Sequence, residues 1–257
     1  MKKEFYYMKK AKKILITGAT SGVGLLLAKN LHTAGHEIWA TGRNTRVLNS
    51  LSAVGIRTIE VDLTSEQSFV SLFKEMDIPD TVIHSAGVGT FSYLLDMDEM
   101  DMEQMLQVNV LAPMKITKYF AQKMKTRGSG HFIFIASQAG KVATPKASVY
   151  AASKHAIIGF ANAIRMELND FGIEVTTINP GPIDTPFLDL ADQTGNYRSS
   201  MKKHLLTPEK VVASIEKVIE KPVREVDLPS YMGITSKLYA VAPSIVETVG
   251  KKYFTKK

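Results

Sequence analysis

A short apolar run, Lys12 to Thr17, passes through Gly18-Ala19-Thr20-Ser21-Gly22-Val23-Gly24 straight into the helix-like stretch Leu25 to Leu31. A strand that turns through glycine into a helix gathers free backbone N–H groups and the positive end of a helix dipole at one spot. That spot suits a pyrophosphate. Gly18 permits the tight turn, Gly22 lets the backbone approach phosphates, and Gly24 lets helix and strand pack closely. The spacing differs from G-x-G-x-x-G, so that fingerprint does not apply as written. A glycine-rich turn that binds nothing remains the alternative.

The same alternation runs through the rest of the chain. Strands are expected over Glu37 to Thr41, Thr58 to Val61, Thr81 to His84, His131 to Ala136, Glu174 to Asn179 and Val223 to Leu228. Between them lie a short helix over Arg46 to Leu51 and a helix capped by Thr64 with Gln67 in the reciprocal position. A long helix spans about Asp98 to Lys125, kinked or broken at Pro113. The helix through Tyr150 stops near Gly172, and Thr207-Pro208 opens another. Strand alternating with helix argues for an α/β fold, a parallel sheet covered on both faces. With 257 residues, 45% hydrophobic, and no repeats or linkers, one domain is expected.

Two features downstream carry chemistry. Tyr150 and Lys154 stand four apart on a helix, so phenol and ammonium can share a site. A cation there favours tyrosinate and pulls the phenol below its reference value of about 10, making it an acid or base near neutral pH. Alone, such a pair is commonplace on solvated helix faces. Ser137 follows a continuously apolar run, on the edge where open α/β sheets bind ligands. It can donate a hydrogen bond to a substrate oxygen, though a serine starting a loop is the plainer reading.

Taken together, these segments resemble the short-chain dehydrogenase/reductase family. Its T-G-x-x-x-G-x-G pattern falls on Thr17 to Gly24, its N-A-G segment on Ser85-Ala86-Gly87, its Asn on Asn109, its Ser on Ser137, its Y-x-x-x-K on Tyr150 to Lys154 and its P-G turn on Pro180-Gly181. The resemblance covers about Lys12 to Leu228 and implies a Rossmann-like, doubly wound parallel sheet. By it, Tyr150 is the acid/base, Lys154 lowers its pKa and holds the nicotinamide ribose, Ser137 orients the carbonyl, and Asn109 supports a proton-relay water. It also implies cofactor contacts from Gly18, Thr20, Ser21, Gly22, Val23, Gly24, Asp62, Leu63, Ala86, Gly87, Tyr150, Lys154, Pro180, Gly181, Ile183 and Thr185. The chain departs from the family's usual two asparagines before Ala-Gly, and Ser85 is assigned no role.

Cofactor choice is read at the end of the second strand. An acidic residue there selects NAD through the ribose 2′-OH, whereas an arginine accommodates a 2′-phosphate. The chain has Ala40-Thr41-Gly42-Arg43, which predicts NADP(H) over NAD(H), with Arg43 as the phosphate partner and Asn44 beside it. The alternative is an Arg43 that points to solvent.

Composition removes other classes. Without cysteine there is no thiol catalysis, disulfide or thiolate metal site, which fits a reducing, cytoplasmic setting. No metal-ligand spacing stands out, and His32 and His36 read as surface residues. The basic segment 1–11 lacks the apolar region of a signal peptide and reads as a tail, with Met1 or Met8 as the natural start. No stretch is long enough to span a membrane. Net charge is +7, much of it in terminal lysines, and no nucleic-acid motif is present.

The substrate wall is expected over Asp184 to His204, where Phe187, Leu188, Leu190, Tyr197 and Met201 suit either a lid over an apolar carbonyl compound, such as a lipid-like or 3-oxoacyl molecule, or an ordinary amphipathic helix. The family commonly forms homodimers or homotetramers through its two long helices, and the small residues Ala151, Ala152, Ala156, Gly159, Ala161 and Ala163 allow close approach. Residues 229–257 read as an extension of two amphipathic helices, Ile234 to Ala242 and Ser244 to Phe254, parted at Pro243. Packing on protein is favoured there over contact with an anionic membrane or fraying. Two functions stay open: a carbonyl reductase or alcohol dehydrogenase, and a non-catalytic dinucleotide-binding sensor or scaffold, which would be free to lose the Asn109, Ser137, Tyr150 and Lys154 set.

Overall fold

The computed structural model describes residues 11–254. The expected basic tail, apart from Ala11, lies outside the described residues, as do Met1, Met8, Lys256 and Lys257.

Seven parallel strands form one sheet in the order β3-β2-β1-β4-β5-β6-β7. They are β1 (Lys13–Thr17), β2 (Glu37–Gly42), β3 (Arg57–Glu60), β4 (Thr81–His84), β5 (Gly130–Ile135), β6 (Ile173–Pro180) and β7 (Glu225–Leu228). Each strand was expected within a residue or two of these bounds. The chain order reverses between β1 and β4, and at such a switch point an open sheet leaves a crevice beyond its carboxyl ends.

Alternation along the strands divides the core. Leu15, Val82, Phe132 and Phe134 point to one face. There they meet α3 (Glu66–Glu75), α5 (Ala112–Arg127) and α6 (Ser148–Leu168) through Leu72, Phe120 and Ile157. Ile14, Ile16, Ile83 and Ile133 point to the other. They pack on α1 (Gly22–Thr33) and α9 (Pro208–Glu220) through Leu27, Leu31, Val211 and Ile215. A side chain such as Phe120, fully buried, contributes about 1.5–3 kcal/mol by leaving water. Period-2 strands buried on both faces therefore hold the carboxyl edge rigid beneath the crevice.

Three local expectations need correction. The long helix expected from Asp98 is two helices, α4 (Glu99–Leu106) and α5, joined by a π turn over Gln107–Leu111. Pro113 sits in the first turn of α5, where its missing N–H is tolerated. Thr64 does not cap α3. Ser65 holds the cap position, and the Thr64 hydroxyl donates to Asp62 at 2.8 Å instead. The last region starts earlier than expected, as α10 (Tyr231–Val241) and α11 (Pro243–Phe254), still parted at Pro243.

The remaining helices are α2 (Thr45–Ser52) and two short ones, α7 (Phe187–Ala191) and α8 (Asn196–Met201), which interrupt the run from β6 to α9. Among the described residues no helix is long and apolar enough to cross a membrane.

Candidate active site

A cleft of about 530 Å³ lies over the carboxyl ends of β1, β4, β5 and β6. Its walls include Gly18, Thr20, Ser21, Gly22, Val23, Gly24, Arg43, Asp62, Leu63, Ala86, Gly87, Ser137, Tyr150, Lys154, Pro180, Gly181, Ile183 and Thr185. Two expected residues are not in the wall. Asn44 turns its side chain back to accept from the Val47 N–H at 3.1 Å and caps α2, because an N-cap oxygen satisfies an orphan donor of the first turn. Asn109 lies buried behind the wall.

At one end of the cleft the glycines make a cradle. Gly18 and Gly22 take φ of 70° and 50°, which only glycine adopts freely. A Cβ on Gly18 would come within 2.6 Å of the Ala86 Cα, and one on Gly24 would collide with the Gly18 carbonyl. The first turn of α1 holds no acidic residue, so its unpaired N–H groups face the cleft without a competing anion. This donor set fits a dinucleotide pyrophosphate. Ser85, assigned no role from sequence, lines the cleft, while the Thr17 hydroxyl braces β4 by accepting from the Ala86 N–H at 3.3 Å.

Arg43 is exposed at the mouth beyond β2. Asp62 accepts from the Thr64 N–H at 2.9 Å. That bond, with lesser help from the Thr64 hydroxyl and the Arg43 charge, holds its carboxyl below the usual carboxylate range against the opposing effect of burial. Gly42, which sequence reasoning passed over, keeps β2 close to the cradle, since a Cβ there would lie 2.6 Å from the Thr20 hydroxyl oxygen.

At the other end Tyr150 and Lys154 rise from the first turns of α6, both buried, with the Lys154 Nζ 5.7 Å from the Tyr150 ring centre. Lys154 donates to the Ile135 carbonyl at 3.1 Å, and burial brings its pKa down to about 8. The Tyr150 phenol is not depressed as expected. Burial pushes it up to about 12, opposed by a hydrogen bond from Ser137. The penalty for burying a tyrosinate outweighs the Ser137 hydrogen bond in this desolvated corner. Ser137 itself accepts from the Ala139 N–H at 3.0 Å and starts the turn Gln138–Gly140.

Asn109 serves as a clip. Its Oδ1 accepts from the Val88 N–H at 2.9 Å, and its Nδ2 donates to the Val88 carbonyl at 2.8 Å and to Ser153 Oγ at 3.0 Å. The π turn and Pro113 explain its placement: Pro113 has no N–H to return to the Asn109 carbonyl four residues back. A Cβ on Gly87 would lie 3.4 Å from Asn109 Oδ1 and 3.6 Å from Lys154 Nζ, so the loop after β4 spans both.

The segment expected as either a lid or an amphipathic helix forms α7 and α8. Phe187 lies 5.8 Å from Tyr150, and Phe91 stands edge-on to both Tyr150 and Tyr197. The Phe91 N–H donates to the Ala191 carbonyl at 2.7 Å, tying the loop after β4 to α7. Arg198 joins Asp184 and Asp189 across the lid. Phe91, Val142 and, from α10, Met232 and Thr235 also line the cleft. These residues lie outside every motif, and nothing local in the sequence marks them.

Among the described residues no group of three or more His, Cys, Asp or Glu could hold a metal. His84 is pressed to a pKa of about 3 by burial, stacks on Phe134 and bonds Thr117, so it serves the core as a neutral ring.

Comparison with known proteins gives the family. The profile of the short chain dehydrogenase family matches residues 12–195. An uncharacterized oxidoreductase of Escherichia coli K12, YbbO, is 31% identical over 223 residues, covering 82% of this chain and 83% of that protein. A 4-hydroxyisoleucine dehydrogenase complexed with NADH superposes with a TM-score of 0.77 at 25% identity, over 83% of this chain and 95% of its own. A short-chain dehydrogenase of Sphingobium yanoikuyae in complex with NADPH has the same fold, with a TM-score of 0.79 at 19% identity over 91% and 94% of the two chains. With cradle, serine, tyrosine and lysine around one cleft, this chain belongs to the short-chain dehydrogenase/reductase family, oxidoreductases that bind a nicotinamide dinucleotide.

Proposed function

We propose that the protein is a cytoplasmic, NADP(H)-dependent carbonyl reductase or alcohol dehydrogenase acting between a ketone or aldehyde and the corresponding alcohol. The observation that carries this reading is the convergence of Ser137, Tyr150 and Lys154 on one end of a cleft whose other end is the glycine cradle. The cofactor, when bound, supplies or accepts the hydride. The chain's own residues do the rest. The cradle and the start of α1 hold the phosphates. Ser137 donates to the substrate oxygen and Tyr150 exchanges a proton with it. Lys154 supplies positive charge beside the phenol. With its pKa pushed up by burial, Tyr150 is protonated at neutral pH and so holds the proton that reduction requires. The Asn109 carbonyl, which has no N–H four residues on because Pro113 stands there, is the anchor for a proton-relay water.

Arg43 at the end of β2, with no carboxylate beside it in the strand, supports a 2′-phosphate and hence NADP(H). Among the described residues, the charged side chains lining the cleft are Arg43, Asp62 and Lys154. Around Tyr150 the walls are Val88, Phe91 and Phe187, with Val142 and Met232 elsewhere in the cleft, and these suit an apolar carbonyl compound, lipid-like or 3-oxoacyl. A zwitterion such as 4-hydroxyisoleucine would meet, among the described lining residues around Tyr150, no cation for its carboxylate but Lys154. Self-association through α4–α5 and α6 is supported by exposed Ala152, Ala156, Gly159 and Ala163, whereas Ala151 and Ala161 are buried in the chain's own core.

The test is initial-rate kinetics with NADPH and NADH over a panel of ketones and aldehydes, beside Tyr150→Phe. NADPH turnover that vanishes in the variant while NADPH affinity stays within about twofold is expected, because the variant loses a proton donor and little binding surface. NADPH binding without oxidation across the panel would overturn the reading in favour of a sensor.

A further inference from the structure

Behind Ser137 the ends of β5, β6 and β7 meet in one polar cluster, which reaches the cleft wall through Gln138. Lys141 Nζ donates to both carboxylate oxygens of Asp227, at 2.7 and 3.0 Å, and to Glu225 Oε2 at 3.0 Å. The side chains of Lys141 and Asp227 keep only 14% and 11% of their exposure. The Gln138 amide donates to Asp227 Oδ1 at 2.8 Å and to the Asn179 carbonyl at 2.8 Å. Asn179, just before Pro180-Gly181, adds a longer bond to Asp227 Oδ1 at 3.2 Å. The Asp227 carboxylate thus receives donors from the turn that follows Ser137 and from the strand that enters the Pro180-Gly181 turn.

The same turn is held from the opposite side by the tyrosine helix. A Cβ on Gly140 would lie 2.7 Å from the Lys154 carbonyl, so the backbone of Ser137–Lys141 is clamped between α6 and Asp227. A buried ion pair is weak evidence for stability, because desolvation cancels much of its attraction. Its consistent use is to fix geometry. Here the groups it fixes flank Ser137 in sequence: Gln138 next to it and Lys141 at the close of its turn.

We propose that Lys141 and Asp227 are positioning residues that set the Ser137 hydroxyl against the Tyr150 phenol. The inference rests on the reading of Ser137 and Tyr150 as the reacting pair, and neither Lys141 nor Asp227 touches substrate. Displacing a hydrogen-bonding group by a fraction of an ångström is costly in an oriented site, whereas the cradle, on the far side of the cleft, is untouched by the pair.

The experiment uses the full chain labelled at tyrosine Cζ, with the Tyr150 resonance assigned through Tyr150→Phe. In Lys141→Met the Tyr150 resonance moves in the direction set by Ser137→Ala. A Tyr150 resonance left at its wild-type position in folded Lys141→Met overturns the proposal. If Lys141→Met does not fold, Gln138→Leu reads the same resonance with the same two outcomes. In turnover of 4-phenyl-2-butanone with NADPH, Lys141→Met lowers kcat about tenfold or more in the wild-type background but less than about twofold on top of Ser137→Ala. Equal factors in both backgrounds also overturn it. Wild-type protein that reduces nothing defeats the reductase reading alone, since the resonance still decides the positioning role.

Discussion

Asn109→Ala isolates the clip beneath the cleft. The variant removes the acceptor of the Val88 N–H and the donors to the Val88 carbonyl and Ser153 Oγ. Ser153 is fully buried and Val88 partly so. A buried polar group stripped of its partner costs about 1–3 kcal/mol. Val88 can recover part of this from water, and Ser153 keeps its bond to the Tyr150 carbonyl at 2.7 Å, so the lower end applies to each. The sum is about 3 kcal/mol. For a chain of this size each kcal/mol moves Tm by about 2–4 °C, so a fall of about 6–12 °C is expected, with a urea midpoint shift at unchanged slope. Calorimetry and urea titration of wild type and variant measure both. A Tm within about 2 °C of wild type would refute the clip and return Asn109 to a purely catalytic part.

Arg43→Ala lowers kcat/KM for NADPH by about tenfold to a hundredfold, the worth of about 1.5–3 kcal/mol in charged hydrogen bonds, and leaves NADH nearly unchanged; steady-state kinetics with both dinucleotides checks it. Lys154, brought from 10.5 to about 8 in the folded chain, makes folding release a proton between those values. Stability referable to this group therefore rises with pH from about 8 to about 10.5, and below 8 its burial opposes folding by on the order of 3 kcal/mol. Lys154→Met removes that slope, so the difference in urea stability between variant and wild type should be large at pH 7 and shrink toward pH 10.5; a constant difference would contradict it. Truncation after Gly233 deletes Thr235 from the cleft wall and the buried Ser236. It should lower Tm or change KM for the carbonyl substrate, and a change confined to liposome binding would favour membrane contact instead.

The strands and the cradle were legible because their causes are local. Ile14, Leu15 and Ile16 must be strand because both faces of a parallel sheet are covered, and Gly18 and Gly24 are required by contacts that any Cβ would break. The tyrosine and lysine pair was legible as placement and misread as electrostatics. Helical spacing says that Lys154 shares a face with Tyr150, but the Tyr150 pKa depends on how deeply α6, Phe91 and Phe187 bury the phenol, which is a sum over three distant segments. The Thr64 cap failed because α3 begins one residue later, with Ser65 at the cap position, while the Thr64 N–H and hydroxyl both donate to Asp62. Asn44 could not be placed for another reason: one side chain had two plausible uses, and the cap is the nearer. What stayed hidden was the wall around the reacting atoms. Met232 and Thr235 reach the cleft from beyond the last strand, and Asp227 reaches Ser137 through partners far away in sequence. Catalytic groups recur because chemistry fixes their type and spacing. The residues that aim them, or choose what they act on, are fixed only by tertiary contact, so in this chain the reaction class is written in motifs and the substrate in the packing of α7, α8 and α10.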